Sequence, residues 1–170
     1  METTLLDLGP TEWMAIRLSL KVALWATCLS LPLAIYVAIL LARGKFWGKQ
    51  ALNILVHMPL IMPPVVTGYL LLIVFGRNTV LGHFLENTIG LVLAFKWTGA
   101  VLAAAIMAFP LMVRSIRLAA ENVDPNLEEA ARTMGASPAI VLVSVTLPLM
   151  LPGIVAGAIL AFAKALGEFG

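Results

Sequence analysis

A chain of 170 residues and 18.2 kDa that is 61% hydrophobic and only 12% charged, with a mean hydropathy of +1.01, is not a soluble globular domain. A body this small lacks the polar surface to cover so many apolar side chains, and the same numbers exclude disorder. The net charge of +2, from eleven basic residues with no run of five, offers no patch for nucleic acid, so the bilayer is the solvent and an all-α integral membrane protein is expected.

The chain opens with METTLLDLGPTEW, whose Glu2, Asp7 and Glu12 precede the first basic residue, Arg17. That sign is wrong for the n-region of a cleavable signal peptide, so the first apolar segment is expected to be retained. Val22 to Ala42 holds 21 residues without a charge, enough to cross ~30 Å of hydrocarbon as a helix. The single cysteine, Cys28, lies within it and is expected to be a small buried hydrophobe. Gln50 to Gly76 follows, with His57 its only titratable group; a second span over 52–75 is expected, kinked by Pro59, Pro63 and Pro64. A third span is expected over 97–116, running past Arg114 and Arg117 as their side chains reach the interface. The last apolar run, Thr133 to Ala163, is too long for one crossing. It is expected to form a short interfacial helix from Pro138 to Thr146, a break at Leu147-Pro148, and a fourth span over 149–170.

The loops after spans one and three carry Arg43, Lys45, Lys49, Arg114, Arg117 and Arg132, against Arg77 and Lys96 between spans two and three. Both odd-numbered loops are therefore expected in the cytoplasm and the N-terminus outside. Trp13, Trp47 and Trp97 fall at span ends, where aromatic rings sit among headgroups. With no internal repeat or linker tract, residues 1–170 read as one membrane domain of about four helices. The end at GEFG, inside an apolar pattern, suggests a truncated chain with one more span beyond residue 170.

The cytoplasmic loop, about 121–147, has the punctuation of an independent helix. Asp124 suits the N-cap and Pro125 the first helical position. Glu128 and Glu129 lie near the positive end of the dipole, and Gly135 stands where a left-handed residue closes the helix. Leu127, Ala130, Ala131 and Met134 recur at spacings of three and four, forming a stripe fit for a partner's groove or for the membrane surface.

Glu129-Ala130-Ala131, with Gly135 four residues on and Leu147-Pro148 twelve beyond, resembles the EAA loop of ABC importer permeases. The resemblance implies the type I ABC importer transmembrane fold. It implies that this helix couples to a cytoplasmic ABC ATPase subunit, with Glu129 meeting a basic or backbone partner, Ala130 and Ala131 allowing close approach, and Gly135 making the turn. Glu128 is expected to be solvated. No Walker A loop is present, so ATP is hydrolysed on a separate subunit and no enzyme activity or cofactor is expected here. An intramembrane enzyme is the remote alternative. Ser30 and Ser144 have no His within a helical turn, and His57 and His83 suggest no metal pair.

MPLIMPPVVTGYLLLIVFGR (58–77), FKWTGAVLAAAIMAFPLMVRSIRLA (95–119) and the closing LPLMLPGIVAGAILAFAKALGEFG are similar to the permease subunit of molybdate importers, with sulfate, thiosulfate and tungstate permeases as alternatives. The resemblance implies a homodimer in the bacterial cytoplasmic (inner) membrane, in contact with lipids, two ATPase subunits and a periplasmic or extracellular molybdate-binding protein. An oxyanion path needs donors and a weak positive field. Thr67 and Tyr69, after the Pro63-Pro64 break, are candidates, although Thr67 has the alternative of a bond to its own helix. Lys164 and Glu168 share a helix face and either line the path or snorkel. Gly153 and Gly157 give a GxxxG spacing for close helix approach, within the subunit or across a two-fold axis. Ala100, Ala104 and Ala108 make a similar stripe on span three.

Overall fold

The computed structural model describes residues 9–76, 79, 82, 83, 87 and 96–169. The acidic Glu2 and Asp7, most of the loop between spans two and three with Arg77 and Glu86, the Phe95 flank of span three and the terminal Gly170 lie outside the described residues. Within them every element is helical. Three helices are long and apolar enough to cross a membrane, and a sharply bent pair makes a fourth crossing if it counts as one span. The chain is a multi-pass membrane protein.

Helix α1 runs from Pro10 to Arg43, 34 residues, or about 51 Å at 1.5 Å per residue. It begins well before the expected limit at residue 22 because its start is strongly specified. Pro10 sits at the first position, and the Glu12 carboxylate accepts the Gly9 N–H at 2.8 Å. Its buried stripe is Val22, Ala23, Ala26, Thr27, Ser30, Ala34, Ala38 and Leu41. Cys28 falls off that stripe and is exposed rather than buried, because a uniformly apolar helix gives no composition signal for which side faces inward.

The second apolar run is two helices, α2 (Lys49–Ile61) and α3 (Pro64–Phe75), bent by 115°. A kink was expected; a near-reversal is found. Each half is shorter than ~20 Å, too short to cross alone. Two adjacent prolines remove two backbone donors, and each forces the residue before it into extended backbone, with ψ of 139° at Met62 and 141° at Pro63.

Helix α4 (Trp97–Glu121) extends past Arg114 and Arg117 and is the centre of the bundle, packed along α1 on one side and the last helix on the other. Arg117 does not merely reach solvent. It pairs with Glu121 at 2.7 Å and donates to Asn53 Oδ1 of α2 at 3.1 Å. After α5 (Pro125–Thr133) come α6 (Pro138–Val141), a π turn over Leu142–Thr146 and α7 (Leu147–Phe169). The expected break at Leu147-Pro148 is absent: Pro138 to Glu168 is continuous helix. Pro148 has no N–H for the Ser144 carbonyl, and the chain absorbs this by winding one turn wider just upstream, where Leu147 N–H reaches Leu142 O.

Small residues bring the three long helices together. Ala34 and Ala38 of α1, Ala104 and Ala108 of α4, and Ala161 and Ala165 of α7 are all buried. A Cβ on Gly153 would collide with the Ala119 Cβ, and one on Gly157 would lie 3.1 Å from the Met112 carbonyl oxygen. Ser115 Oγ donates to the Gly153 carbonyl at 3.1 Å. The glycine face of α7 is thus packed on α4 within the subunit, where dispersion and close backbone approach replace the hydrophobic effect.

Candidate functional site

Helix α5 stands on the loop between α4 and α7. Asp124 caps it, its side chain accepting the Asn126 N–H at 2.9 Å, with Pro125 at the first position. The helix closes as Met134 N–H reaches Ala130 O and Gly135 N–H reaches Arg132 O. Gly135 has φ +86, the left-handed region in which a side chain is strained. Ser137 then caps α6 through the Ile140 N–H. Local punctuation thus sets where each helix of this hairpin begins and where α5 ends.

The outward surface of α5 carries Leu127, Glu129, Ala130 and Met134, the last 86% exposed, with Ala131 half-buried beside them. An exposed apolar stripe at helical spacing on a capped, rigid helix has the form of a docking surface. Leu147 is half-buried, packed against the core, and Pro148 is exposed at the start of α7.

Facing the other way is the residue sequence reasoning misjudged. Glu128 is the one buried residue of α5, only 6% exposed, not solvated. Its Oε2 pairs with Arg43 Nη1 at the end of α1, and its Oε1 accepts the Thr146 hydroxyl at the end of the π turn. Arg43 Nη2 also reaches the Ala120 carbonyl in the last turn of α4 at 3.4 Å. Burial pushes the Glu128 carboxyl up, but the Thr146 hydroxyl, the Arg43 guanidinium and the nearby Arg132 more than reverse this and hold it below the ordinary glutamate value. Sequence reasoning gives neither Arg43 nor Thr146 a role at this site. The apolar stripe could not have supplied the signal, because Glu128 lies only about 60° around the helix from Ala131, while Glu129 stands opposite the stripe and is nonetheless exposed.

The path candidates fall on separate elements. Thr67 is buried on α3 and donates to the Pro63 carbonyl at 3.5 Å, the back-bond alternative, while Tyr69 is exposed. On α7, Lys164 and Glu168 meet as an ion pair at 2.6 Å, with the Glu168 side chain 12% exposed. An open cleft of about 730 Å³ between α1, α2 and α4 is lined by Trp25, Leu29, Leu33, Leu55 and Phe109, with Ser30 and Thr98 as its hydroxyls. Its apolar wall offers a bare anion no compensation for lost hydration. His57 Nδ1 is bonded to Asn53 O at 2.8 Å, and His83 is exposed. Among the described residues no group of three His, Cys, Asp or Glu converges to hold a metal ion.

Comparison with known proteins gives a consistent picture. The family described as "Binding-protein-dependent transport system inner membrane component" matches residues 30–170. The chain is 56% identical over 159 residues to the "Molybdenum transport system permease protein ModB" of Escherichia coli (strain K12), covering 94% of this chain and 69% of that protein. It is 38% identical over 156 residues to "Sulfate permease 2, chloroplastic" of Chlamydomonas reinhardtii, covering 92% of this chain and 42% of the other. A solved structure titled "Crystal structure of an amino acid ABC transporter with histidines" superposes with a TM-score of 0.64 at 22% identity, over 99% of this chain and 74% of that one, which shows a shared fold.

Proposed function

The chain belongs to the binding-protein-dependent transport system inner membrane component family, and from that premise we propose that it is the membrane-spanning subunit of an ATP-driven importer of molybdate. It works in this reading as a homodimer, with cytoplasmic ATPase subunits and an external solute-binding protein, by alternating access between two packings of the helices. The observation that carries the reading is α5: a capped helix presenting Glu129, Ala130 and Met134 to solvent while its other side is fastened to the bundle. A docking peg of this kind transmits force only if one side is free for the motor and the other is fixed to the load. The closer identity to the molybdenum permease than to the sulfate permease supports molybdate among tetrahedral oxyanions. The reading places the N-terminus outside and α5 in the cytoplasm. Thr67, Tyr69 and the Lys164–Glu168 pair are the candidates for the anion's path.

In proteoliposomes with the ATPase subunit and the binding protein, Glu129→Lys is expected to lower ATP-driven uptake of labelled molybdate at least ~10-fold, because a reversed charge at a docked surface opposes its partner. Undiminished uptake would refute the assignment of α5. An excess of sulfate is expected to leave uptake in place; full competition would move the substrate to sulfate.

A further inference from the structure

Helix α5 hangs from α4 by residues 122–124 and from α6 by residues 134–137, short irregular links in which a push could be dissipated. Its firm attachment is the Glu128 carboxylate. Through Arg43 it is tied to the end of α1 and, by the second arm of the same guanidinium, to Ala120 O in the last turn of α4. Through Thr146 it is tied to the π turn that leads into α7. Through two direct partners, Arg43 and Thr146, one side chain is thus linked to the ends of all three long helices.

We propose that Arg43, Glu128 and Thr146 form the joint through which displacement of α5 reaches the membrane helices, with Glu128 its positioning residue. The inference rests on the importer reading above. Adjacent carboxylates divide the work: Glu129 faces the motor and Glu128, about 100° around the helix, faces the load. A guanidinium fork suits the load side because its donors are fixed in a plane and hold direction as well as charge, which a flexible ammonium cannot do. A threonine hydroxyl at the last residue of the π turn adds the second direction. The carboxylate cannot slide between partners while both of its oxygens are engaged. Movement of α5 is thereby imposed on the ends of α1, α4 and α7 together, as rocking a bundle as one body requires.

The test compares molybdate taken up per ATP hydrolysed, in proteoliposomes holding the permease, its ATPase and the binding protein. Glu128→Gln is expected to co-purify with the ATPase in the wild-type proportion and to hydrolyse ATP, while uptake per ATP falls roughly tenfold. Arg43→Gln should fall by a similar factor, and the double variant no further, since members of one joint are not additive. A merely structural role would lower the amount of assembled complex and leave that ratio alone. A wild-type ratio in Glu128→Gln, or independent losses that multiply in the double variant, would overturn the joint. Should Glu128→Gln not assemble, the ratio is read on Arg43→Lys, which keeps a cation beside the carboxylate without the fork to Ala120; an unchanged ratio there overturns it equally. Absence of ATP-driven uptake in the wild-type complex would instead sink the importer reading itself.

Discussion

At the scale of single residues, the two neighbouring carboxylates of α5 define what composition can and cannot reveal. Glu128 and Glu129 are the same residue type at adjacent positions of one helix, yet one is buried in an ion pair and the other exposed. Local spacing distinguishes them only by about 100° of rotation, and the partners that decide their fates lie 85 residues upstream, at Arg43, and 18 downstream, at Thr146. The lowered Glu128 carboxyl has a consequence for pH. A carboxylate held below its unfolded value stabilises the attachment fully above the ordinary glutamate range, and that contribution is lost as pH falls through the lower folded value. Amide-exchange protection of residues 125–133 should therefore be level from pH 7 down to about 5 and fall in more acidic solution. A Glu128→Gln variant should show no such fall. Protection that declines equally in both would contradict the ion-pair origin.

Among the helices, punctuation was more legible than length. The Asp124 N-cap, Pro125 and the left-handed Gly135 are short-range chemistry and stand where spacing placed them. The prolines are legible as disturbances but not in kind. Pro63-Pro64 turns the chain through 115°, whereas Pro148 is absorbed without a break. The physical difference is the pairing of two donor-less residues in the first case and a single one, relieved by the wide turn, in the second. The GxxxG face likewise showed its spacing but not its partner, which is α4 of the same subunit. Gly153→Val is expected to destabilise the helix pair by about 1–3 kcal/mol, the usual range for overpacking. Because the nearest obstruction is the Ala119 Cβ, adding Ala119→Gly should recover part of that loss. Thermal unfolding in detergent reads both; no rescue would place the clash elsewhere.

For the whole molecule, the apolar runs and their loops were enough to identify a helical membrane protein, because only closed hydrogen bonding within a helix or barrel survives in hydrocarbon. Inward faces such as the one that excludes Cys28 were not readable, since lipid-facing and core-facing sides are equally apolar. Orientation is argued from the basic loops and is open to a direct check. In a Cys28→Ser background, Met134→Cys on the exposed stripe should react with a membrane-impermeant maleimide in inside-out vesicles and not in intact cells. The reverse pattern would invert the topology. The π turn over Leu142–Thr146 absorbs one surplus residue ahead of the closing helix α7. A helix wound one residue wider carries an extra residue without changing the azimuth of the residues downstream, so Gly153 and Gly157 meet α4 although the segment before them holds one residue more than a regular helix would. Removing a single residue from 142–146 should therefore leave a regular helix whose glycines keep their seat, whereas removing one from 149–151, where there is no surplus to give up, should turn them about 100° relative to the segment before them.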